Sequence, residues 1–273
     1  MIARLGERVG FALAVLALVS PAALVFLWML SLSLKTELDN TAYPPVFLPD
    51  PPTLANFEAV FERNDFLLYA LNSVVVSFSA TALALLVGVP AGYGIAKMRA
   101  TRAAVLILVA RITPGLSYLI PLFLLFQWLG LTGTLTPIVI THLVLTVPIV
   151  VWVMIGFFEG LPGELEEAAL VDGCTIWQAF RHVALPLARP GITVATILAF
   201  IFSWNNFVFA VVLAGRETRT LPVAVNNMLT FEQISWGPLA AAALLVTLPV
   251  LVLTLVAQKQ IVEGLTQGGV KGG

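Results

Sequence analysis

The run from Val9 to Leu34, apolar almost without interruption, constrains this chain more than any other feature. It is longer than the roughly 7–15 residues of a signal-peptide core, and Arg4 and Arg8 precede it, so it reads as a retained first membrane helix. Stretches of similar character follow at Phe66 to Ile95, Ala103 to about Trp128, Pro137 to Phe158, Ile192 to Leu213 and Leu239 to Ala257. Hydrocarbon offers no water to pair with N–H and C=O groups, so segments of this kind satisfy their backbones as helices. Composition points the same way. Hydrophobic residues are 59% of the chain and charged ones 11%, against roughly 25% charged in a soluble domain, so most of the surface faces something other than water. The expected fold class is all-α integral membrane with six transmembrane helices. A net charge of −1 gives no reason to expect nucleic acid as a partner. Cys174 is the only cysteine, which excludes an internal disulfide and reads as a small spacer.

Between the fourth and fifth apolar stretches lies a long polar insertion with helical order of its own, Glu164 to Gly191. Pro162 suits the first turn of a helix, where its missing N–H would be unpaired in any case. Glu164, Glu166 and Glu167 then meet the positive end of the helix dipole. Leu165, Ala168, Ala169 and Asp172 fall at i, i+3, i+4 and i+7, a narrow face of small side chains followed by an acid. Gly173 stops this helix, because glycine takes the left-handed conformation without a Cβ penalty. Thr175 with Gln178 three residues on predicts a capping box for a second short helix with Ile176, Phe180 and Val183 as its stripe. Pro186 and Pro190 are expected to end it.

Glu167-Ala168-Ala169, Asp172-Gly173 and Leu185-Pro186-Leu187 with Pro190 resemble the EAA motif of permease subunits in binding-protein-dependent ABC importers. The likeness is greatest to the MalG-type carbohydrate permeases. It implies a type I ABC importer (MetI-like) permease fold, with a first helix and extracytoplasmic loop over residues 1–66. A permease domain over 67–258 carries the EAA loop at 159–191, and a cytoplasmic tail covers 259–273. It also implies that this loop docks on a cytoplasmic ATPase through Glu164, Glu167, Ala168, Ala169, Asp172, Gly173, Phe180, Leu185 and Pro186. A helix pair lying on the lipid surface is the other reading of the residues. Such helices are rich in Lys and Arg on their polar face, whereas this one opens with three glutamates.

Polar residues inside the spans carry further expectations. Gly88 and Gly92 in the second span have the spacing of close helix approach, and Asn72-Ser73 lie in the same span. Arg111 in the third span either faces a pathway or reaches the headgroups from about two turns away. His142 and His182 fall in different segments, so they do not form one metal site, and no metal is expected. His142 alone reads as a hydrogen-bonded packing residue. Ser203-Trp204-Asn205-Asn206-Phe207 resembles the family's W-N-acidic-F segment, with Asn206 where an acid is frequent. Amides flanked by aromatics suit a sugar, so Trp204, Asn205, Asn206 and Arg111 are candidate substrate-path residues; hydrogen bonding between two permease subunits is the alternative for the amides. The tail resembles that of MalG-like permeases, in which it reaches the ATPase interface, and Gly268, Gly269 and Lys271 are its expected contacts. Its glycines predict a flexible segment, and a disordered terminus is the alternative.

Arg4, Arg8, Lys97, Arg99, Arg102, Arg181, Arg189, Lys259 and Lys271 fall on one side of a six-span topology, nine of the fourteen basic residues. The positive-inside rule puts that side, with both termini and the EAA loop, in the cytoplasm of a bacterial inner membrane. No G-x-x-x-x-G-K-[ST] pattern occurs, so no cofactor is expected in this chain and ATP belongs to partner subunits. The resemblance implies a second permease subunit, two ATP-binding subunits and an extracytoplasmic solute-binding protein, with membrane lipid around them. A secondary transporter would need ionisable residues along the spans. An intramembrane enzyme would need H-E-x-x-H, G-x-S-x-G or a pair of carboxylates within the spans, and none is present.

Overall fold

The computed structural model describes residues 2–62, 65–112, 115–229 and 234–269, apart from the side chains of 2–9, Ala12 and 259–269. Regular structure among them is helical throughout. In chain order the helices are α1 (Ile2–Ser33), α2 (Glu37–Thr41), α3 (Ala55–Glu62), α4 (Phe66–Lys97), α5 (Thr101–Ile112), α6 (Leu116–Trp128) and α7 (Leu135–Glu159). There follow α8 (Gly163–Val171), α9 (Ile176–Ala179), a π-helical turn (Phe180–Ala184), α10 (Leu185–Leu187), α11 (Arg189–Trp204) and α12 (Val208–Leu213). A 3-10 turn (Arg216–Thr218), α13 (Leu221–Asn226) and α14 (Trp236–Gly269) complete the series.

Four segments of the described residues are long and apolar enough to cross a membrane alone: Leu13–Ser33, Phe66–Lys97, Leu135–Glu159 and Trp236–Gln258. Two bent pairs pass together, α5 with α6 at 86° and Ile176–Leu187 with α11 at 76°. Counting each bent pair as one gives up to six crossings by length and composition, but the second pair joins Ile176–Leu187 of the polar insertion to α11 and is not the expected stretch Ile192 to Leu213.

Two stretches read as continuous spans are broken. The third divides into α5 and α6. The fifth divides at Asn205–Phe207, where α11 ends and α12 has yet to begin. The cause of the second break is local: Asn206 Oδ1 accepts a hydrogen bond from the Phe209 N–H at 3.3 Å, so its side chain serves as a helix start. The tail differs too, because α14 continues to Gly269. Ala257, Gln258, Lys259, Gln260, Glu263 and Leu265 are strong helix formers, and their propensity carries the helix through Gly264.

The chain divides into two compact units. The first comprises Met1–Leu67 and Ala224–Pro249. Its stretch 35–65, expected as loop, holds α2 and α3, and Thr36 caps α2 by accepting from the Asp39 N–H at 3.2 Å. Lys35 is buried, with Nζ 4.6 Å from the centre of the Trp28 ring and donating to the Val46 carbonyl at 2.7 Å. Burial pushes its ammonium below the ordinary lysine value, against the pull of Asp39. Asn56 donates to the Ser33 and Lys35 carbonyls at 2.9 and 2.7 Å. The Glu37 carboxylate accepts from the Trp236 and Gly237 N–H groups at 2.8 and 3.2 Å and thereby caps the N-terminus of α14.

The second unit comprises Leu68–Val223 and Val250–Gly273. Helix α7 is its hub and packs against α11, α5 and α12. Asn72 donates to the Glu217 and Arg219 carbonyls at 2.8 and 3.0 Å, and Ser73 Oγ accepts from the Leu221 N–H at 2.7 Å. The polar pair in α4 thus satisfies the segment that follows α12. The glycine spacing in α4 has the expected consequence. A Cβ on Gly88 would come within 2.7 Å of Val150 Cγ1, and one on Gly92 within 2.7 Å of Met154 Cβ, so both glycines lie directly against α7. Gly92→Leu is expected to force α4 off α7 at about 1–3 kcal/mol. It should lower the melting temperature of the detergent-solubilised protein by several degrees, while Gly94→Ala, whose Cβ meets open space, should leave it unchanged.

Candidate functional site

The polar insertion folds as a doubly capped helical hairpin. Pro162 is the N-cap of α8 and lies just outside the first turn, with an extended ψ of 119°. The Gly173 N–H bonds to the Leu170 carbonyl at 3.1 Å and the Cys174 N–H to the Ala169 carbonyl at 3.0 Å, while Gly173 has φ +89°. This is a complete Schellman motif, and its positive φ is the reason glycine occupies the turn. Two residues on, the Gln178 N–H bonds to Thr175 Oγ1 at 3.3 Å and the Thr175 N–H to Gln178 Oε1 at 2.8 Å, which is the expected capping box.

The second arm is longer than expected. Pro186 does not end it: α9, the π-helical turn and α10 run on to Leu187. Leu185 N–H bonds to the Phe180 carbonyl, five residues back. That wider turn moves the chain away from the carbonyl that the Pro186 ring would otherwise strike. The break comes at Ala188, and α11 starts with Pro190 in its first turn.

The expected contact residues divide by exposure. Glu164, Glu167, Ala168, Asp172 and Gly173 are exposed, while Ala169, Leu185 and Pro186 are half-buried. Phe180 is buried in an aromatic cluster, 4.7 Å from Tyr93, 5.2 Å from Trp177 and 6.2 Å from Phe158 between ring centres. Leu165, Leu170, Val171, Ile176 and Trp177 of the hairpin are exposed as well, interspersed with exposed polar residues. Val171 is 87% exposed.

One residue of the site escaped sequence reasoning. Glu166 is buried, and its Oε2 accepts from the Tyr93 hydroxyl at 2.8 Å and pairs with Lys97 Nζ at 3.0 Å. Tyr93 and Lys97 stand four apart on one face of α4. That spacing is visible in the sequence, yet nothing there says which of three nearby glutamates they meet.

The candidate substrate-path residues lie at the broken end of α11. Trp204 is buried and stacks on Phe200, with ring centres 5.5 Å apart and planes at 25°. Asn205 is the exposed C-cap of α11, and Asn206 is half-buried with its Oδ1 accepting from the Phe209 N–H in the first turn of α12. His142 of α7 is buried with Nδ1 2.7 Å from Ser203 Oγ, a hydrogen-bonded packing histidine as the sequence suggests. Arg111 is exposed in the last turn of α5, where a cation suits the negative end of the helix dipole. Of the tail residues, Gly268 and Gly269 are the last two residues of α14, and Lys271 lies outside the described residues.

Comparison with known proteins decides the family. Residues 84–266 match the model of the binding-protein-dependent transport system inner membrane component. The chain belongs to this family. A relative is the sulfoquinovosyl glycerol transport system permease protein SmoH of Agrobacterium fabrum, 36% identical over 250 residues, which covers 90% of this chain and 88% of that one. Another is the trehalose transport system permease protein SugB of Mycobacterium tuberculosis, 35% identical over 257 residues, with 92% and 93% covered. The crystal structure of a bacterial ABC transporter that imports alginate shares the fold at a TM-score of 0.76 and 22% identity, over 94% of this chain and 96% of that one. The protein is thus a membrane-embedded permease subunit of an ABC importer, a family that is not catalytic on its own. Thr175→Ala is expected to destabilise the second arm by about 1 kcal/mol, the usual worth of an N-cap. Hydrogen exchange of the Gln178 and Ala179 amides, which bond to Thr175, should rise about fivefold with it, by that same free energy.

Proposed function

We propose that the hairpin of Gly163–Leu187 seats on a cytoplasmic ATP-binding subunit and carries the motion of ATP-driven closure into this chain. The observation that carries this reading is a loop whose two helices are fixed by a Schellman turn and a capping box while large apolar side chains on them stay exposed. Exposed Glu164, Glu167, Ala168, Asp172 and Gly173 supply the rest of the contact, with Ala169, Leu185 and Pro186 beside them. Phe180 serves from beneath, since it holds the hairpin to the ends of α4 and α7. The end of α14, with Gly268, Gly269 and Lys271, is a second contact to the same subunit.

In this reading the chain forms half of a pathway with a second permease subunit, above two ATP-binding subunits and beneath an extracytoplasmic solute-binding protein. Both termini are cytoplasmic, in accord with the basic residues on that side. The solute is a sugar or sugar-like molecule. Relatives named for trehalose and sulfoquinovosyl glycerol support this, as does the setting of Asn205 and Asn206 beside Trp204 and Phe207. Arg111 belongs to the path at the bend between α5 and α6.

Gly173→Val tests the coupling role. A β-branched residue at φ +89° costs about 1–2 kcal/mol of backbone strain and opens the turn between the arms. The variant should reach the membrane at the normal level yet lose uptake and lose crosslinking from Ala168→Cys to the ATP-binding subunit. Normal uptake would remove the hairpin from the coupling path.

A further inference from the structure

Among the three glutamates of α8, only Glu166 turns inward. Its single oxygen Oε2 holds both the Tyr93 hydroxyl and the Lys97 ammonium, and both partners belong to the last two turns of α4. An acid buried this way is costly to leave unpaired, so α8 and the end of α4 move together or the contact must break with a large penalty. The far side of the joint is equally fixed. The Tyr93 ring is wedged between Phe158 of α7 at 5.2 Å and Phe180 of the π-helical turn at 4.7 Å. Its neighbour Gly92 lies against Met154 with no room for a Cβ, so the end of α4 has little freedom to slide on α7. Glu164 and Glu167, one on each side, are exposed and left for an outside partner.

We propose that Glu166 and Lys97 are positioning residues, with Tyr93 as the hinge pin between them, through which displacement of the coupling hairpin is passed to α4 and from there to α7. This rests on the reading that the hairpin seats on an ATP-binding subunit. It adds the route by which a push on the outer face of α8 leaves through its inner face. The ion pair supplies direction and reach, and the hydroxyl keeps the carboxylate aimed when Lys97, whose side chain is 41% exposed, swings toward water.

The test uses the assembled complex with its partner subunits in lipid nanodiscs, with Cys174→Ser as background. Asn205→Cys reports the pathway through its rate of modification by a cationic methanethiosulfonate, with and without ATP and vanadate. Ala168→Cys reports docking through crosslinking to the ATP-binding subunit. In the background the nucleotide should change the modification rate at least about fivefold, the low end of coupling between distant sites. Lys97→Met and Glu166→Gln should abolish most of that change while the crosslink persists. Lys97→Arg should keep it, and Lys97→Glu combined with Glu166→Lys should restore what Lys97→Glu alone removes. A purely structural brace would not follow charge in this manner. Should Glu166→Gln fail to assemble, Lys97→Met carries the test, because its side chain is partly in water. A background-like response in Lys97→Met with the crosslink intact overturns the strut and leaves docking standing. Absence of the crosslink in the background overturns the docking reading, and the strut with it.

Discussion

Helix α4 passes α7 at a distance that only glycine permits, and the working geometry of this permease depends on that approach. In a bilayer, helices gain nothing from leaving lipid for one another, so association rests on contact and on hydrogen bonds. Gly88 and Gly92 remove the side chains that would hold the helices apart. Gly191 does the same at the start of α11, where a Cβ would collide with the Phe157 ring. The seam continues in Ala84, Ala184, Ala188, Ala195 and Ala199, all buried in the same core as Val150, Met154 and Phe158. Tyr93 reaches Phe158 and Phe180 because the seam is this narrow, and Glu166 finds Tyr93 because the π-helical turn brings the hairpin back beneath it.

The polar residues of the spans are used in a second way, to close irregular backbone. Unpaired N–H and C=O groups are expensive away from water. Asn72 and Ser73 take up three backbone groups between Glu217 and Leu221. Asn206 starts α12 after α11 has stopped, and the His142–Ser203 hydrogen bond ties the end of α11 to α7. The break after α11 is thus accompanied by a side chain that serves the next helix, and it leaves Asn205 as an exposed amide next to the buried Trp204 ring.

Much of this was legible in the residues. The apolar runs gave the helices, because their length and lack of charge permit little else. The turn at Gly173 and the box at Thr175 were readable because each depends on a few adjacent residues whose backbone chemistry is local. The Gly88–Gly92 spacing foretold a close approach, though not to which helix. What could not be read were events decided by contacts distant in sequence. Glu166 is told apart from Glu164 and Glu167 only by which way α8 rolls. The π-helical turn that lets the chain run through Pro186 has no single-residue mark. The breaks near Arg111 and after Trp204 fall at short polar groups inside long apolar runs, and nothing in the residues says whether such a group bends the helix or is carried within it. The helical end of α14 shows ordinary propensity overriding the glycine count that suggested a loose tail.

The hairpin between α7 and α11 is tied off at its tip and at its second start by its own backbone and side chains. A peg that is already shaped gives up little freedom when it enters a socket. Tightness at such a joint is then a matter of fit and not of folding. A subunit contact of that sort can loosen and re-form in every cycle without the peg losing its outline.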